Sequence, residues 1–278
     1  MSEADEFRPP AKTAIIGNQG RMGRMLEARA RNAGLAVAGI DRPLADAGLV
    51  ECCRDAGLVL LCVPARSFEE VVCRLVPCMP KKAILSDITS VKEAPMRQMR
   101  KHWPGAVVGT HPLFGPGAAA GSDQPVAIVP DGSDATGASR AVAGFFKALG
   151  CRPFFTSAEK HDQAMAKIQN MNFITNLAYF AALAGEEELL PFLTPSFDRR
   201  RQAAQKMLTE DADMFAGLFE ANPHSHEAVR QYRRMLNLAA SGDIDLLCHR
   251  AQWWFGDENS EPGRSGYGEG SDNPDPES

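Results

Sequence analysis

At 278 residues, with 44% hydrophobic and 23% charged side chains, the chain is long enough for two domains with a sizeable core and has the balance of a soluble globular protein. The formal charge is −5, but residues 256–278 hold seven acids against the single base Arg264, so the rest stands near +1 and carries no basic footprint for nucleic acid. The opening MSEADEFRPPAK has no apolar export core and no run approaches about 18 apolar residues, which argues against export and membrane insertion and for the cytoplasm.

Thr13 to Ile16 (TAII) is a β-branched run suited to a buried parallel strand, and Gly17, Gly20 and Gly23 follow where the backbone must turn tightly and approach something closely. Residues 24–34 (RMLEARARNAG) then turn helical. The free N–H groups and positive dipole end of that helix face the glycine turn, a setting for a pyrophosphate. Asn18 stands at the first glycine of the G-x-G-x-x-G fingerprint. Asparagine tolerates a left-handed backbone, but the motif by itself fits an ordinary strand-to-helix turn equally well. Leu35 to Ile40 is a second strand with Asp41 at its tip, 18 residues after Gly23. A carboxylate there accepts hydrogen bonds from ribose hydroxyls and repels a 2′-phosphate, favouring NAD over NADP. Arg42 leaves room for NADP, and an acid that merely starts a turn before Pro43 is the plainer alternative.

Gly57 to Pro64 (GLVLLCVP) is a continuous apolar run, as a strand buried on both faces requires, with Val63 and Pro64 placed to lie against a cofactor. Ser67 to Val76 reads as a helix, Ala83 to Ile88 as a strand, 90–102 as a helix, and Ala106 to His111 and Pro125 to Gly132 as strands. The alternation predicts an α/β fold with a Rossmann-type, doubly wound, mostly parallel sheet, whose ligands bind beyond the carboxyl ends of the strands. Ser90 and His111 fall at such ends. From Ala158 onward the spacing is helical, over Ala158 to Ala184, Ser196 to Glu210, Pro223 to Ser241 and Asp243 to Phe255. Met165, Ile168, Leu177 and Phe180 form an apolar stripe that needs other helices or a second subunit. The expected organisation is an arm over 1–11, a dinucleotide-binding domain over 12–157, an all-helical substrate and dimerisation domain over 158–255, and a disordered acidic tail over 256–278. Seven cysteines without a C-x-x-C pair, mostly in apolar runs, read as reduced thiols, and no metal site is expected.

The succession of glycine turn, Asp41, LLCVP, SDITSVKEAP, GTHPLFGP and EKHDQAMAKIQ resembles the prephenate dehydrogenase family over about residues 12 to 256. Its most specific parts are Ser90-Val91-Lys92 and His111 to Pro116. The likeness is to the dehydrogenase half of bifunctional chorismate mutase–prephenate dehydrogenases. With no mutase region before it and no regulatory domain after it, a monofunctional chain is expected. The resemblance implies NAD-dependent oxidative decarboxylation of prephenate to 4-hydroxyphenylpyruvate in tyrosine biosynthesis, by a homodimer paired through its helices. It implies nucleotide contacts from Gly17, Asn18, Gln19, Gly20, Arg21, Met22, Asp41, Arg42, Val63 and Pro64. As hydride leaves an alcohol carbon, an acceptor must take the hydroxyl proton, and a histidine does this at neutral pH. His111 is that candidate, held on a turn rich in proline and glycine, with Ser90 hydrogen-bonding the same hydroxyl or orienting the imidazole.

Two departures from the family pattern bear on the substrate. Lys206 stands where an arginine grips a substrate carboxylate, keeping the charge without the two-pronged geometry. Arg200, with Arg199 and Arg201, lies one to two turns earlier and is a second candidate, while an exposed helix lysine is the bland reading of Lys206. Phe173 replaces a second pocket histidine. Arogenate or a related cyclohexadienyl or hydroxy acid therefore stays open as substrate, as does a non-catalytic dinucleotide-binding regulator. His161-Asp162 reads as structural, Asp162 capping its own helix, and His102, His224, His226 and His249 as surface or capping residues.

Overall fold

The run Leu58–Leu61 (β3) has no exposed surface on either side, and its alternate residues feed two separate cores in the computed structural model, which describes residues 7–118, 124–132 and 137–256. Leu58 and Leu60 pack with Leu26, Ala30, Phe145 and Phe146, while Val59 and Leu61 pack with Leu49, Phe68, Val72 and Met99. Each large side chain so buried contributes about 1.5–3 kcal/mol. This is the two-faced burial that a parallel sheet between helices imposes.

The sheet joins β1 (Lys12–Ile16), β2 (Ala36–Ile40), β3, β4 (Ile84–Asp87), β5 (Val107–Pro112), β6 (Gln124–Pro130) and β7 (Cys151–Phe155) in the order 2-1-3-4-5-6-7. All neighbours are parallel except β5 and β6, where His111 faces Ala127. The eleven residues between β5 and β6 are too few for a crossover of a dozen or more, so β6 runs back along β5. β7 was not foreseen: its five residues include Pro153, which an edge strand tolerates. The helices of the sheet region are α1 (Arg21–Asn32), α2 (Asp46–Cys53), α3 (Phe68–Leu75), α4 (Glu93–His102) and α5 (Ala138–Ala148). Phe7 of the N-terminal arm lies on α5, where a Cβ on Gly144 would meet its carbonyl oxygen at 2.1 Å.

The helical part begins with α6 (Ala158–Met165), continues through a π-turn at Ala166–Asn170 into α7 (Met171–Ala182), and adds α8 (Pro195–Thr209) and α9 (Ala212–Ala221). The single helix expected over Ala158 to Ala184 is thus interrupted, and π-turns mark places where a helix is bent toward a task. Two compact units divide at Met1–His226 and Glu227–Ser278. The second holds the rest of α10 (Ser225–Ala240), then α11 (Ile244–Ala251) and a short turn of helix at Gln252–Phe255. The expected disordered tail lies, apart from Gly256, outside the described residues, as does the start of the arm. Among the described residues no helix is long and apolar enough to cross a membrane, and no group of three or more His, Cys, Asp or Glu could hold a metal. All seven cysteines are free.

Candidate active site

β2 and β3 lie on opposite sides of β1, so the chain order reverses there and opens a crevice at the strand ends. Gly17 leaves β1 with φ +92°, and a Cβ on it would fall 2.5 Å from the Cys62 carbonyl oxygen at the end of β3. Gly23 is as constrained: its Cβ would lie 2.2 Å from the Gly17 oxygen. These two glycines let α1 start directly over the crevice. Gly20 at its N-cap has no side chain to cap with, and the first turn holds no acid, so its N–H groups and positive end are left for an anion.

Gly17, Gln19, Gly20, Asp41, Arg42, Val63 and Pro64 line one hollow of about 330 Å³. Asp41 is oriented by two backbone donors, Gln19 N at 2.9 Å and Arg42 N at 2.7 Å. Asn18 differs from the others. Its side chain turns under the loop to donate to Glu27 at 2.8 Å, filling the space that a Cβ on Gly39 would need. The left-handed position of the turn is Gly17 and not Asn18, whose side chain fits because residue 39 is a glycine.

A second hollow, of about 480 Å³, begins on the other side of the same turn at Arg21 and Met22. Ser90, His111 and Lys206 also line it, together with Met165, Ile168, Met214 and Phe215. Arg21 donates to Asp211 at 2.9 Å, and the Lys206 ammonium lies 3.7 Å from the other carboxylate oxygen. Arg200 is not brought here. Its guanidinium lies over the Tyr179 ring, 3.7 Å from the centroid, in a separate groove with Phe192 and Phe197. Six residues along a helix turn a side chain about 120° away from Lys206. Phe173 is buried behind the cleft, stacked on Phe215 with centroids 5.5 Å apart.

His111 is held from two sides. Lys92, fully buried, donates to Asp87 at 2.5 Å and to the Thr110 carbonyl at 2.6 Å, pinning the strand end that carries the histidine. Gly109 makes room for it, since a Cβ there would lie 3.1 Å from the lysine chain. The His111 Nδ1 is 2.9 Å from His161 Nε2, and His161 Nδ1 is 2.7 Å from Asp162 Oδ1. Burial, with the neighbouring His161 and Lys92 disfavouring a further positive charge, holds the His111 pKa well below the usual histidine value. Its neutral form is therefore the resting one at neutral pH.

Asp162 does not cap its own helix. Ser157 does that, accepting from Lys160 N at 3.2 Å, while the two Asp162 oxygens accept from Lys92 N (2.7 Å) and Glu93 N (2.9 Å) at the start of α4. Sequence reasoning also passed over Gln169 in the π-turn, whose buried Oε1 has no partner among the described residues and which lines the cleft, and over Asp211. The break in a helix pattern at Ala166–Asn170 leaves no local signal, and nothing near Asp211 points to a partner 190 residues away.

Residues 19–154 match the family model for the prephenate dehydrogenase nucleotide-binding domain. The chain is 29% identical over 274 residues to the T-protein of Enterobacter agglomerans, covering 91% of this chain and 69% of that one. It is 30% identical over 203 residues to the cyclohexadienyl dehydrogenase of Zymomonas mobilis, covering 68% and 69%. In fold it is similar to the crystal structure of prephenate dehydrogenase from A. aeolicus in complex with hydroxyphenyl propionate and NAD+, with a TM-score of 0.73, 18% identity and coverage of 87% and 94%.

Proposed function

The chain belongs to the prephenate dehydrogenase family, and we propose that it catalyses the NAD-dependent oxidative decarboxylation of prephenate to 4-hydroxyphenylpyruvate, a step of tyrosine biosynthesis. The observation that carries this reading is His111, a buried histidine held neutral, engaged at Nδ1 and lining one cleft with Ser90, Arg21 and Lys206. Residues 12–157 form the dinucleotide-binding part in this reading, and 158–255 the part that binds substrate and pairs subunits in the cytoplasm. Exposed apolar side chains such as Leu190 and Phe192, and Trp253, Trp254 and Phe255 in the second unit, support pairing of two copies.

The uncapped start of α1, the close approach at Gly17 and the acid at Asp41 fit the pyrophosphate and ribose of a dinucleotide, NAD rather than NADP. When bound, NAD+ would supply the acceptor for the hydride that leaves the ring carbon bearing the substrate hydroxyl. His111 Nε2 receives the hydroxyl proton as that carbon becomes a carbonyl, and Ser90 hydrogen-bonds the same oxygen. The ring carboxylate then leaves as CO2, its bonding pair makes the ring aromatic and returns negative charge to the oxygen, and His111 gives the proton back. Prephenate and NAD+ thus yield 4-hydroxyphenylpyruvate, CO2 and NADH with no net proton.

Lys206 and Arg21 supply positive charge for the substrate carboxylates. Arogenate is the second reading, favoured by Asp211 and the unpartnered Gln169 oxygen, two acceptors in the cleft suited to an ammonium group. The deciding assay follows NADH absorbance and product with prephenate or arogenate, each with NAD+ or NADP+. NADH formation from prephenate is expected, and no turnover with either substrate would sink the reading. Lys206→Arg, by restoring a bidentate grip, is expected to lower the substrate KM by roughly threefold or more with kcat little changed. An unaltered KM removes Lys206 from carboxylate recognition.

A further inference from the structure

We propose that His161 and Asp162 are positioning residues for the proton transfer, fixing His111 in the tautomer that leaves its Nε2 bare and supporting the positive charge that forms on it. The proposal rests on the reading of His111 as proton acceptor.

The direction of the chain follows from its far end. Both Asp162 oxygens already accept backbone N–H groups, from Lys92 and Glu93, so the carboxylate is aimed and acts as an acceptor only. His161 Nδ1, 2.7 Å from Asp162, must then carry its hydrogen. In a neutral His161 the Nε2 is then a lone pair, and the 2.9 Å contact is His111 Nδ1–H donating to His161. In a neutral imidazole with hydrogen on Nδ1, the bare nitrogen is Nε2. The two rings meet edge to face, centroids 5.1 Å apart and planes at 71°, and both residues are almost fully buried.

A structural role alone would not need this arrangement. Asp162 caps α4 with its two oxygens whether or not an imidazole stands beside it. His161 adds a third donor to that carboxylate, and its second nitrogen meets His111, which among the described residues is the histidine lining the cleft. When His111 Nε2 takes the substrate proton, the imidazolium forms inside the protein, where the charged groups around it are Lys92, Asp87 and Asp162, with Arg21, Lys206 and Asp211 in the cleft. The nearer cation opposes the new charge. His161, polarised by Asp162, is the group in direct contact that favours it, and such preorganised support acts mainly as the charge develops.

The test uses nitrogen-15 NMR of the histidine side chains in the full chain, together with kinetics. In the wild type His111 is expected to show a protonated Nδ1 and an unprotonated Nε2. Asp162→Asn removes the negative charge that polarises His161 and one of the acceptors at the start of α4, and where its amide nitrogen takes the Oδ1 position it donates to His161, so that His111 carries its hydrogen on Nε2. A fall in kcat by a factor of about 100 or more is expected, with KM and NAD affinity within about twofold. His161→Phe fills the same space without an acceptor and is expected to lower kcat by a factor of about 10 or more, while His161→Gln, whose amide oxygen accepts from Nδ1–H, recovers much of it. Should Asp162→Asn fail to fold, the wild-type spectrum and the two His161 variants still decide. A wild-type His111 bearing its hydrogen on Nε2, or a His161→Phe variant with unchanged kcat, overturns the proposal. The spectrum is independent of substrate, so absence of turnover in the wild type would count against the proposed function and leave the tautomer measurement to stand or fall by itself.

Discussion

His111→Asn is expected to lower kcat by a factor of roughly 100 or more while leaving NAD affinity within about twofold. The substitution is chosen for what it keeps. An asparagine amide N–H lies near the position of Nδ1 and can still donate to His161, so the buried contact and the turn before Pro112 survive. What it removes is any acceptor at the position of Nε2. Because the nucleotide hollow is lined by Gly17, Gln19, Gly20 and Asp41, on the far side of the glycine turn, cofactor binding has no reason to weaken. Unchanged turnover would remove His111 from the reaction.

The same residue sets a pH dependence with a defined sign. Its folded pKa lies well below the ordinary 6.5 because the cleft wall buries it beside His161 and Lys92. In the proposed reaction His111 acts in its neutral form, so the acid limb of kcat/KM should begin well below pH 6.5 instead of at it. Stability follows the linked rule. Below about pH 6.5 the unfolded chain binds a proton at this histidine that the folded chain refuses, so the contribution of His111 to stability is lost as pH falls from there through the folded value. A pH profile of kcat/KM bending at 6.5 or above would contradict the burial argument.

What the sequence made legible was whatever the backbone demanded locally. GLVLLCVP could hardly be anything but a strand buried on both faces, and Gly17, Gly23 and Asp41 mark a turn that only small residues and a strand-end acid explain. The antiparallel return of β6 was hidden, since strand direction depends on the length of a connection and not on the residues in the strand. β7 was hidden by its proline. The site was legible in part: Ser90, His111 and Lys206 line one cleft, whereas Arg200 turns to Tyr179. Asp162 illustrates the limit best. An acid five residues into a helix after Ser157 reads as a local dipole or capping residue, and only the tertiary structure brings it to the start of a helix 70 residues earlier.

Lys92 is the other position where a single change should have a large effect, and here the effect is on stability. Its ammonium and the Asp87 carboxylate have no exposure at all, and the lysine makes one further bond, to the carbonyl of Thr110. Burial pushes the lysine pKa down against the pull of Asp87, so the pair is held by geometry in a place that does not favour charge. Lys92→Met keeps the length and apolar stem but, among the described residues, leaves Asp87 with one oxygen bonded only to Thr89 and the other unpartnered, and takes the lysine donor from the Thr110 carbonyl. A loss of about 3–5 kcal/mol is expected from urea unfolding, a large share of the roughly 5–15 kcal/mol that holds a domain together. The double variant Asp87→Leu with Lys92→Met should recover most of that loss, because no buried charge is then left behind. It should not recover full activity. Without the ammonium, the strand end bearing His111 loses one of its ties to β4, the other being the Thr110 hydroxyl on the Asp87 carbonyl, so stability and turnover separate in the double variant. A Lys92→Met protein less than about 1 kcal/mol weaker than wild type would mean that water reaches Asp87 and that the pair is not the clasp its burial implies.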